Sequence, residues 1–333
     1  MDVSVEEAAG GRYQHVASAA AGRAAGRVPL IYILGATHSG STVLAMQLAR
    51  HPDVCSVGEL SDAHSHDQPG YRCSCGDELA RCGFWNEVSM AMAQRGFSYS
   101  ATTIETDIRN APNRYARRLL KPMHRGPILE LVRDTALFVS PGTRSYLQHH
   151  QRFKAALAES VLECTGKSVL VDSSKIGVHL KYYLRNPRFD VKVIWLVRDG
   201  RGVALSLMRN QRMTMQAAAY EWRRFYEEAD VLLRRLDRSQ WTCVHYEGLC
   251  AAPERTLCEL WRFIGVPPCP RSGLQNADFH VLGHSTRLNG FDKIKLNEKW
   301  RAELTPAELR AFEAVAGPQN RKLGYCAASF QHT

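Results

Sequence analysis

The chain has 333 residues, enough for one large α/β domain or two smaller ones with a sizeable buried core. Its 43 Lys and Arg residues exceed its 33 Asp and Glu residues, and the formal charge of +10 favours an anionic partner: a nucleotide, an acidic substrate, a membrane surface or nucleic acid. Ten cysteines scattered through a chain of this size exclude a small disulfide-stapled scaffold. A solvated basic surface without a specific role is the alternative interpretation of the charge.

The first 27 residues are rich in Ala and Gly and lack a continuous apolar segment behind a basic start. We therefore predict that 1–27 is a disordered tail rather than a signal peptide. No apolar run reaches the length of a membrane-spanning helix, so we expect no membrane span. With no export signal, the expected location is the reducing cytoplasm.

Four short apolar runs are predicted to be buried strands, at 29–34, 167–174, 191–197 and 241–247. A helical pattern follows each of them, and this alternation predicts an α/β fold with a parallel sheet flanked by helices on both faces. Ligands of such sheets bind beyond the carboxyl ends of the strands. We therefore expect the functional site at that edge.

Residues 61–166 interrupt the alternation with a Cys/His-rich loop and a basic helical stretch, RNAPNRYARRLLKPMHR (109–125). We interpret 61–166 as an insertion or lid within a single domain that spans 28–330. A nucleic-acid-binding surface is an alternative use of the same charges, although no known RNA-binding motif accompanies them. Further along, Thr305 is predicted to cap a helix, with Glu308 closing a capping box.

The segment GATHSGST (35–42) follows the first predicted strand and precedes a helical pattern. It nearly matches the phosphate-binding loop G-x-x-x-x-G-K-[ST], but Ser41 stands at the lysine position. Its glycines let backbone N–H groups point at one anion, and the helix N-terminus and the hydroxyl groups add favourable contacts. A kinase-like enzyme that uses ATP and Mg²⁺ stays an alternative, weakened because its lysine would contact the β- and γ-phosphates.

A second anion site is predicted where Arg198 ends the strand 191–197 and Ser206 follows eight residues later. A guanidinium fork with a nearby hydroxyl suits a terminal phosphate, whereas the alternative is that Arg198 pairs with Asp199. Two anion sites on neighbouring strand-to-helix turns indicate a nucleotide that carries phosphate groups at both ends of its ribose.

These motifs resemble those of sulfotransferases that use 3′-phosphoadenosine 5′-phosphosulfate (PAPS). In that family a Gly/Ser/Thr loop binds the 5′-phosphosulfate, and an Arg with a Ser eight residues later binds the 3′-phosphate, as in RDGRGVALS (198–206). HPDVCSVGEL (51–60) and HYEGLCAAP (245–253) resemble further segments of the tyrosylprotein-type and related bacterial members. The resemblance covers roughly 28–325 and implies a P-loop NTPase-like sulfotransferase fold.

The resemblance implies an enzyme that moves a sulfuryl group in line from PAPS to a hydroxyl or amine. The acceptor would be a small molecule or a peptide, acidic ones included, and no nucleic-acid partner is expected. A homodimer is compatible with this interpretation. A sulfuryl group carries less charge than a phosphoryl group, so backbone amides, hydroxyls and cations from elsewhere can suffice without a metal. The acceptor itself stays open, because pockets of this fold are built from loops.

The resemblance assigns twelve residues to the cofactor: Gly35, Thr37, His38, Ser39, Gly40, Ser41, Thr42, Arg198, Ser206, Tyr246, Ser285 and Lys299. Lys299 precedes a Trp in NEKW, like a lysine that reaches the 5′-phosphosulfate, and Ser285 in HST resembles another nucleotide contact. Ordinary surface roles are the alternative for both residues.

Three residues are candidates for the chemistry: Glu59, Lys175 and His38. By resemblance, Glu59 is the general base on the acceptor hydroxyl; alternatively it orders a loop or pairs with a lysine. Lys175 would stabilise the leaving phosphate, unless it is an exposed lysine at a helix start. His38 stands where the family has Arg or Lys. It would either hold the sulfuryl oxygens or accept the proton of the acceptor hydroxyl, and the alternative is that it is a tolerated substitution without a role.

Cys73, Cys75 and Cys82 lie close in sequence to His64 and His66 and raise the question of a zinc site. C-x-C followed by one later Cys is a weak zinc spacing that lacks a defined fourth ligand. A structural or redox-inert role is therefore favoured over metal binding, and no metal is predicted.

Overall fold

The computed structural model describes residues 26–61, 70–102, 106–121, 126–268, 279–283, 285–288 and 294–326. Five strands form one sheet: β1 (Val28–Gly35), β2 (Val54–Gly58), β3 (Val169–Asp172), β4 (Phe189–Val197) and β5 (Trp241–His245). They are all parallel, in the order β2-β3-β1-β4-β5. The predicted parallel α/β sheet is confirmed. The tail predicted over 1–27 lies outside the described residues except for 26 and 27.

Twelve α-helices occur in the described part of the chain: α1 (Ser41–Leu48), α2 (Gly83–Gln94), α3 (Arg114–Leu120), α4 (Pro127–Val139), α5 (Pro141–Thr165), α6 (Gly177–Leu184), α7 (Gly200–Gln211), α8 (Met215–Leu233), α9 (Tyr246–Ala251), α10 (Pro253–Ile264), α11 (Trp300–Glu303) and α12 (Pro306–Lys322). The predicted capping box is present at α12, where Thr305 accepts a hydrogen bond from the Glu308 backbone N–H. None of these helices is long and apolar enough to cross a membrane.

Helices cover both faces of the sheet, because the side chains of each strand alternate between two hydrophobic cores. On one face, Leu30 of β1 shares a core with Phe153 of α5 and Trp222 of α8. On the other face, Ile31 shares a core with Leu44 of α1 and Trp261 of α10. Since parallel sheets of this kind are buried on both sides, their strands carry continuous apolar runs.

Helix α5 lies within the stretch that the sequence marked as an insertion, yet it belongs to the layer that covers the sheet. Its residues Phe153, Leu157 and Val161 are buried in the same core as the sheet residues Leu30 and Leu170. The stretch 61–166 is therefore not only a lid, because its last helix is one layer of the domain core.

The motif HPDV forms the turn between α1 and β2, and its histidine stabilises that turn. His51 is buried, and its Nδ1 accepts a hydrogen bond from the Asp53 N–H at 3.0 Å. Its Nε2 therefore carries the proton and donates to the Pro267 carbonyl at 2.7 Å. His51 thus ties the entry to β2 to the segment that follows α10.

Candidate active site

A cavity of about 1210 Å³ opens at the carboxyl edge of the sheet, and all five strands end beside it. Twelve of the sequence-predicted site residues line it: Gly35, Thr37, His38, Gly40, Ser41, Thr42, Glu59, Lys175, Arg198, Ser206, Tyr246 and Lys299. Ser39 is fully buried behind the loop, and the side chain of Ser285 lies outside the described residues. The structure therefore brings both predicted anion-binding motifs into one cavity.

The loop between β1 and α1 is compact because its glycines leave room for neighbouring side chains. A Cβ atom on Gly35 would lie 2.8 Å from the Ser39 hydroxyl, and one on Gly40 would lie 2.5 Å from the Tyr246 ring. Gly40 has φ 94°, a left-handed conformation that glycine adopts without strain. The Ser39 hydroxyl is buried and has no hydrogen-bond partner among the described residues. This donor group and the start of α1 at Ser41 suit an anion.

Two non-glycine residues of the site adopt left-handed backbone conformations, His38 with φ 63° and Lys175 with φ 68°. Such conformations cost on the order of 1–3 kcal/mol each and are concentrated at functional sites. Arg212, with φ 54°, is the only other such residue in the described part of the chain. The strain at His38 and Lys175 therefore supports the assignment of both residues to the site.

Glu59 and Lys175 form an ion pair at the cavity wall. The Lys175 ammonium donates to Glu59 Oε1, and the two side chains are only 13% and 8% exposed, respectively. One alternative from the sequence, that Glu59 pairs with a lysine, is therefore observed. The pair places a carboxylate and an ammonium next to the loop, and both residues line the same cavity.

Glu59 is held in place by a segment from the C-terminal third of the chain. Leu282 donates its N–H to the Val57 carbonyl at 2.8 Å, and the Glu59 N–H donates to the Leu282 carbonyl at 3.3 Å. Gly58 permits this approach, since a Cβ atom there would lie 2.0 Å from the Leu282 carbonyl oxygen. At Gly283 a Cβ atom would lie 3.0 Å from the Glu59 carboxyl carbon. The backbone on both sides of the carboxylate is therefore fixed.

A buried lysine of α5 holds the loop that follows Glu59. Lys154 donates to the Leu60 carbonyl at 3.0 Å and to the Ser61 hydroxyl at 2.8 Å. The Ser61 N–H donates in turn to the Ser174 hydroxyl at 3.0 Å. Lys154 therefore links α5 to the loops that carry Glu59 and Lys175.

Stability should depend on pH through Lys154, whose pKa burial lowers from its usual 10.5 to about 8. Between these values the unfolded chain binds more protons than the folded one, so the free energy of unfolding rises with pH in that window. Below pH 8 the buried ammonium costs on the order of 3 kcal/mol relative to high pH. We therefore compare the free energies of unfolding of the wild type and of Lys154→Met. Their difference, wild type minus variant, should increase from about pH 7.5 to pH 10. Denaturant unfolding over this pH series tests it, and a difference that stays constant with pH would contradict it.

Arg198 connects the loop, the C-terminal segment and the ring of Tyr246. Its guanidinium donates to the His38 carbonyl at 2.6 Å and to the Asn297 carbonyl at 3.0 Å. The guanidinium carbon also lies 4.5 Å from the centroid of the Tyr246 ring. Two of its five N–H donors are thus used by carbonyls in the described chain, and further donors remain for an anion.

The alternative that Arg198 pairs with Asp199 is not observed among the described residues. The Asp199 carboxylate instead accepts hydrogen bonds from Arg201, including one of 2.6 Å from Nη2. In the second motif, the Ser206 hydroxyl donates to the Gly202 carbonyl, one turn earlier in α7, at 3.0 Å. Ser206 and Arg198 both line the cavity, so both residues of the second motif are available to one ligand.

Several cavity residues were not predicted from the sequence, among them Arg109, Lys121 and Asn297. Arg109 is oriented by Asp107, which accepts hydrogen bonds from its Nε and Nη2 and from His179. Burial alone would raise the pKa of Asp107, but the hydrogen bonds from His179 and Arg109 outweigh it and lower that pKa. The one sequence signal was the basic stretch 109–125, which did not indicate which of its cations face the cavity.

The cysteine-rich segment lies beside the cavity rather than in it. None of the described cysteines lines the cavity. Cys73, Cys75 and Cys82 gather around His280, a residue that the sequence did not single out. His64 and His66, the histidines considered from sequence proximity, lie outside the described residues.

A parallel sheet with a glycine loop and a second predicted anion-binding motif at its carboxyl edge defines a P-loop-like α/β class of protein. The family profile described as "Sulfotransferase family" matches residues 29–270, which is more than half of the chain. The chain therefore belongs to the sulfotransferase family, and the resemblance stated from its motifs is confirmed. A kinase-like identity is not favoured.

Individual relatives match more distantly. The chain is 27% identical to human carbohydrate sulfotransferase 3 over 173 residues, which is 42% of this chain and 34% of that protein. The rat protein of the same name is 27% identical over 172 residues, 42% of this chain and 35% of that protein. These alignments thus cover about a third of the relatives' length. Among solved structures, the sulfotransferase domain of the Synechococcus PCC 7002 olefin synthase matches with a TM-score of 0.50 and 20% identity, covering 90% of this chain and 96% of that one. This likeness supports the shared fold.

Proposed function

We propose that the protein transfers a sulfuryl group from PAPS to a hydroxyl or amine of an acceptor. The observation that carries this proposal is that the glycine loop and the Arg198–Ser206 pair open into one cavity that also contains the Glu59–Lys175 ion pair. A nucleotide with anionic groups at both ends of its ribose would use both motifs. The cavity, at about 1210 Å³, is large enough for a nucleotide together with an acceptor.

The loop residues are assigned to the 5′-phosphosulfate, and Arg198 with Ser206 to the 3′-phosphate. The fit rests on the start of α1 at Ser41, on the buried hydroxyl of Ser39 and on the remaining donors of Arg198. PAPS supplies an activated sulfuryl group. Lys175 contributes a cation beside the loop, which offsets the absence of a lysine at Ser41.

The charges of the cavity also favour anionic ligands. Its lining includes seven cations and four carboxylates: Arg109, Lys121, Lys175, Arg198, Arg224, Lys295, Lys299, Glu59, Glu221, Glu228 and Glu298. Arg109 and Lys121 come from the basic stretch rather than from the nucleotide motifs, so they support an acceptor that carries negative charge. This use of the basic stretch is an alternative to nucleic-acid binding.

None of the nine described cysteines forms a disulfide bond, in keeping with the proposed cytoplasmic location. That the protein forms a homodimer remains a prediction.

Adenosine 3′,5′-bisphosphate should stabilise the protein more than ADP in magnesium-free buffer, because only the former offers a ribose phosphate to Arg198 and Ser206. At a ligand concentration about 100 times the dissociation constant the stabilisation is about 2.7 kcal/mol, which corresponds to roughly 4 °C in melting temperature for a chain of this length. Thermal unfolding with each nucleotide measures the difference, and Ser206→Ala should narrow it. Equal stabilisation by the two nucleotides would contradict the proposal, and a preference for ATP with Mg²⁺ would favour a kinase-like enzyme.

A further inference from the structure

Three cysteines and one histidine meet beside the cavity, in a cluster that the proposed reaction does not use. The ligand atoms of Cys73, Cys75, Cys82 and His280 all lie within 4.8 Å of one another. His280 Nδ1 is 3.3 Å from Cys82 Sγ and 3.7 Å from Cys73 Sγ, and Cys75 Sγ is 3.7 Å from Cys82 Sγ. The four donors therefore converge on one point.

Three of the six separations, at 3.3 to 3.7 Å, are close to the edges of a zinc tetrahedron, and all six lie within 4.8 Å. With Zn–S bonds of about 2.3 Å and Zn–N bonds of about 2.0–2.1 Å, neighbouring ligand atoms in a tetrahedral site lie about 3.5–3.8 Å apart. Three thiolates with one imidazole form a soft donor set that suits zinc, and four protein ligands leave no open position. Hydrogen bonds between thiols are too weak to account for such convergence, because a thiol is a poor donor and a poor acceptor.

The local fold positions Cys73 and Cys82 for this role. The Cys73 N–H donates to the Asp77 carbonyl at 2.9 Å, which closes a tight turn through Gly76, a glycine with φ 99°. Cys82 occupies the N-cap of α2, where the positive end of the helix favours a thiolate. Cys73 and Cys82 are fully buried, and Cys75 is half-buried.

His280 is positioned by contacts on both of its flanks. The buried hydroxyl of Ser74 donates to the Phe279 carbonyl at 2.7 Å and accepts from the Val281 N–H at 2.8 Å. The Phe84 ring stacks on the imidazole, with centroids 4.5 Å apart and planes 11° from parallel. The residue between two of the cysteines thus holds the backbone on both sides of the histidine.

We propose that Cys73, Cys75, Cys82 and His280 bind one structural Zn²⁺ ion. The ion would join the segment 70–82 to the segment 279–283, which are far apart in sequence. This inference departs from the redox-inert role that the sequence favoured, because the structure supplies the fourth ligand.

The zinc site would also support Glu59. Leu282, two residues after His280, pairs with β2 at Gly58. Gly283 comes next, and a Cβ atom there would lie only 3.0 Å from the Glu59 carboxyl carbon. A metal that fixes His280 would therefore fix the backbone that packs against the carboxylate. The metal acts here as a brace for the site, and the proposal does not depend on the identity of the reaction.

Metal analysis of the reduced full-length protein tests the proposal directly. After dialysis against metal-free buffer, we expect one equivalent of zinc in the wild type and in the control Cys243→Ser, which alters an exposed thiol outside the cluster. Cys82→Ser and His280→Gln should each lose most of the metal. His280→Cys should retain zinc, because a fourth thiolate can complete the tetrahedron.

A cobalt titration keeps the test valid if a cysteine variant does not fold. Adding Co²⁺ to metal-stripped, reduced wild-type protein should produce the thiolate charge-transfer band and the strong visible absorption of tetrahedral cobalt, saturating at one equivalent. His280→Cys should strengthen the charge-transfer band relative to wild type. Metal removal should lower the melting temperature, and zinc should restore it.

Three results would overturn the proposal. The first is a reduced wild-type protein that binds neither zinc nor cobalt. The second is stoichiometric zinc retained by both Cys82→Ser and His280→Gln, which would assign the metal to other residues. The third is a stable disulfide between Cys75 and Cys82 in protein purified without oxidant, detected as a mass two hydrogens lower.

Discussion

Glu59→Gln is expected to lower kcat by at least about 10²-fold while the affinity for adenosine 3′,5′-bisphosphate stays normal or rises. An acceptor hydroxyl must lose its proton near the transition state, and a positioned base typically contributes about 10²–10⁴-fold. The amide keeps the shape of the carboxylate against Gly283 but removes its basicity. It also releases Lys175 from its ion pair, which leaves more positive charge for the anionic nucleotide. Steady-state kinetics and calorimetry measure the two effects.

His38→Gln is the matched control for this prediction. His38 lines the same cavity, so its imidazole is the competing base. If His38 mainly holds sulfuryl oxygens, its substitution should cost less rate or should weaken nucleotide binding together with rate. A Glu59→Gln enzyme with near wild-type kcat, beside an inactive His38→Gln enzyme that still binds nucleotide, would transfer the role of the base to His38.

Arg198→Ala is expected to weaken bisphosphate binding by about 10- to 150-fold, which corresponds to a loss of about 1.5–3 kcal/mol for a charge-assisted bidentate contact. The same substitution should affect ADP binding much less, because ADP offers no 3′-phosphate. Calorimetric titration of both nucleotides gives the ratio that decides the role. Arg255→Ala is a suitable control, since Arg255 is an exposed arginine paired with Glu259 outside the cavity.

The structure adds a second contribution of Arg198, because its guanidinium also fixes the carbonyl of His38 in the loop. Arg198→Lys separates the contribution of the positive charge from that of the loop contacts. A lysine keeps the charge, but it cannot donate to both carbonyls and stack on the Tyr246 ring as the guanidinium does. If Arg198→Ala weakens ADP and the bisphosphate equally, the arginine acts through the loop, and its assignment to the 3′-phosphate is wrong.

The predicted strands are confirmed because a strand is indicated by a short apolar run, which is a local feature of the sequence. The apolar runs at 29–34 and 191–197 correspond to β1 and β4, each within two residues at either end. The run at 167–174 was predicted too long, since β3 covers only Val169–Asp172 and the chain then leaves the sheet toward Lys175. Polar residues after a strand end cannot be distinguished by period alone from the last residues of the strand.

The contribution of the stretch 61–166 was harder to predict. Its hydrophobic residues repeat as in any amphipathic helix, and nothing in that pattern indicates whether the apolar face packs on the sheet or on a lid. Phe153 and Leu157 pack in the sheet core, whereas Arg109 and Lys121 face the cavity. Which residues a helix contacts depends on the path of the backbone between elements. That path cannot be predicted from the local sequence.

By itself, the sequence determined the type of the elements, the glycine loop, the Arg198–Ser206 spacing and thereby the family, because each depends on residues near one another in the chain. Only the tertiary structure decided which distant side chains meet. Lys175 pairs with Glu59 across 116 positions, and His280 approaches Cys82 across 198. These contacts depend on the strand order β2-β3-β1-β4-β5 and on the pairing of Leu282 beside Gly58. Strand order and register result from the packing of the whole core, so the chemistry that they assemble becomes visible only in the folded chain.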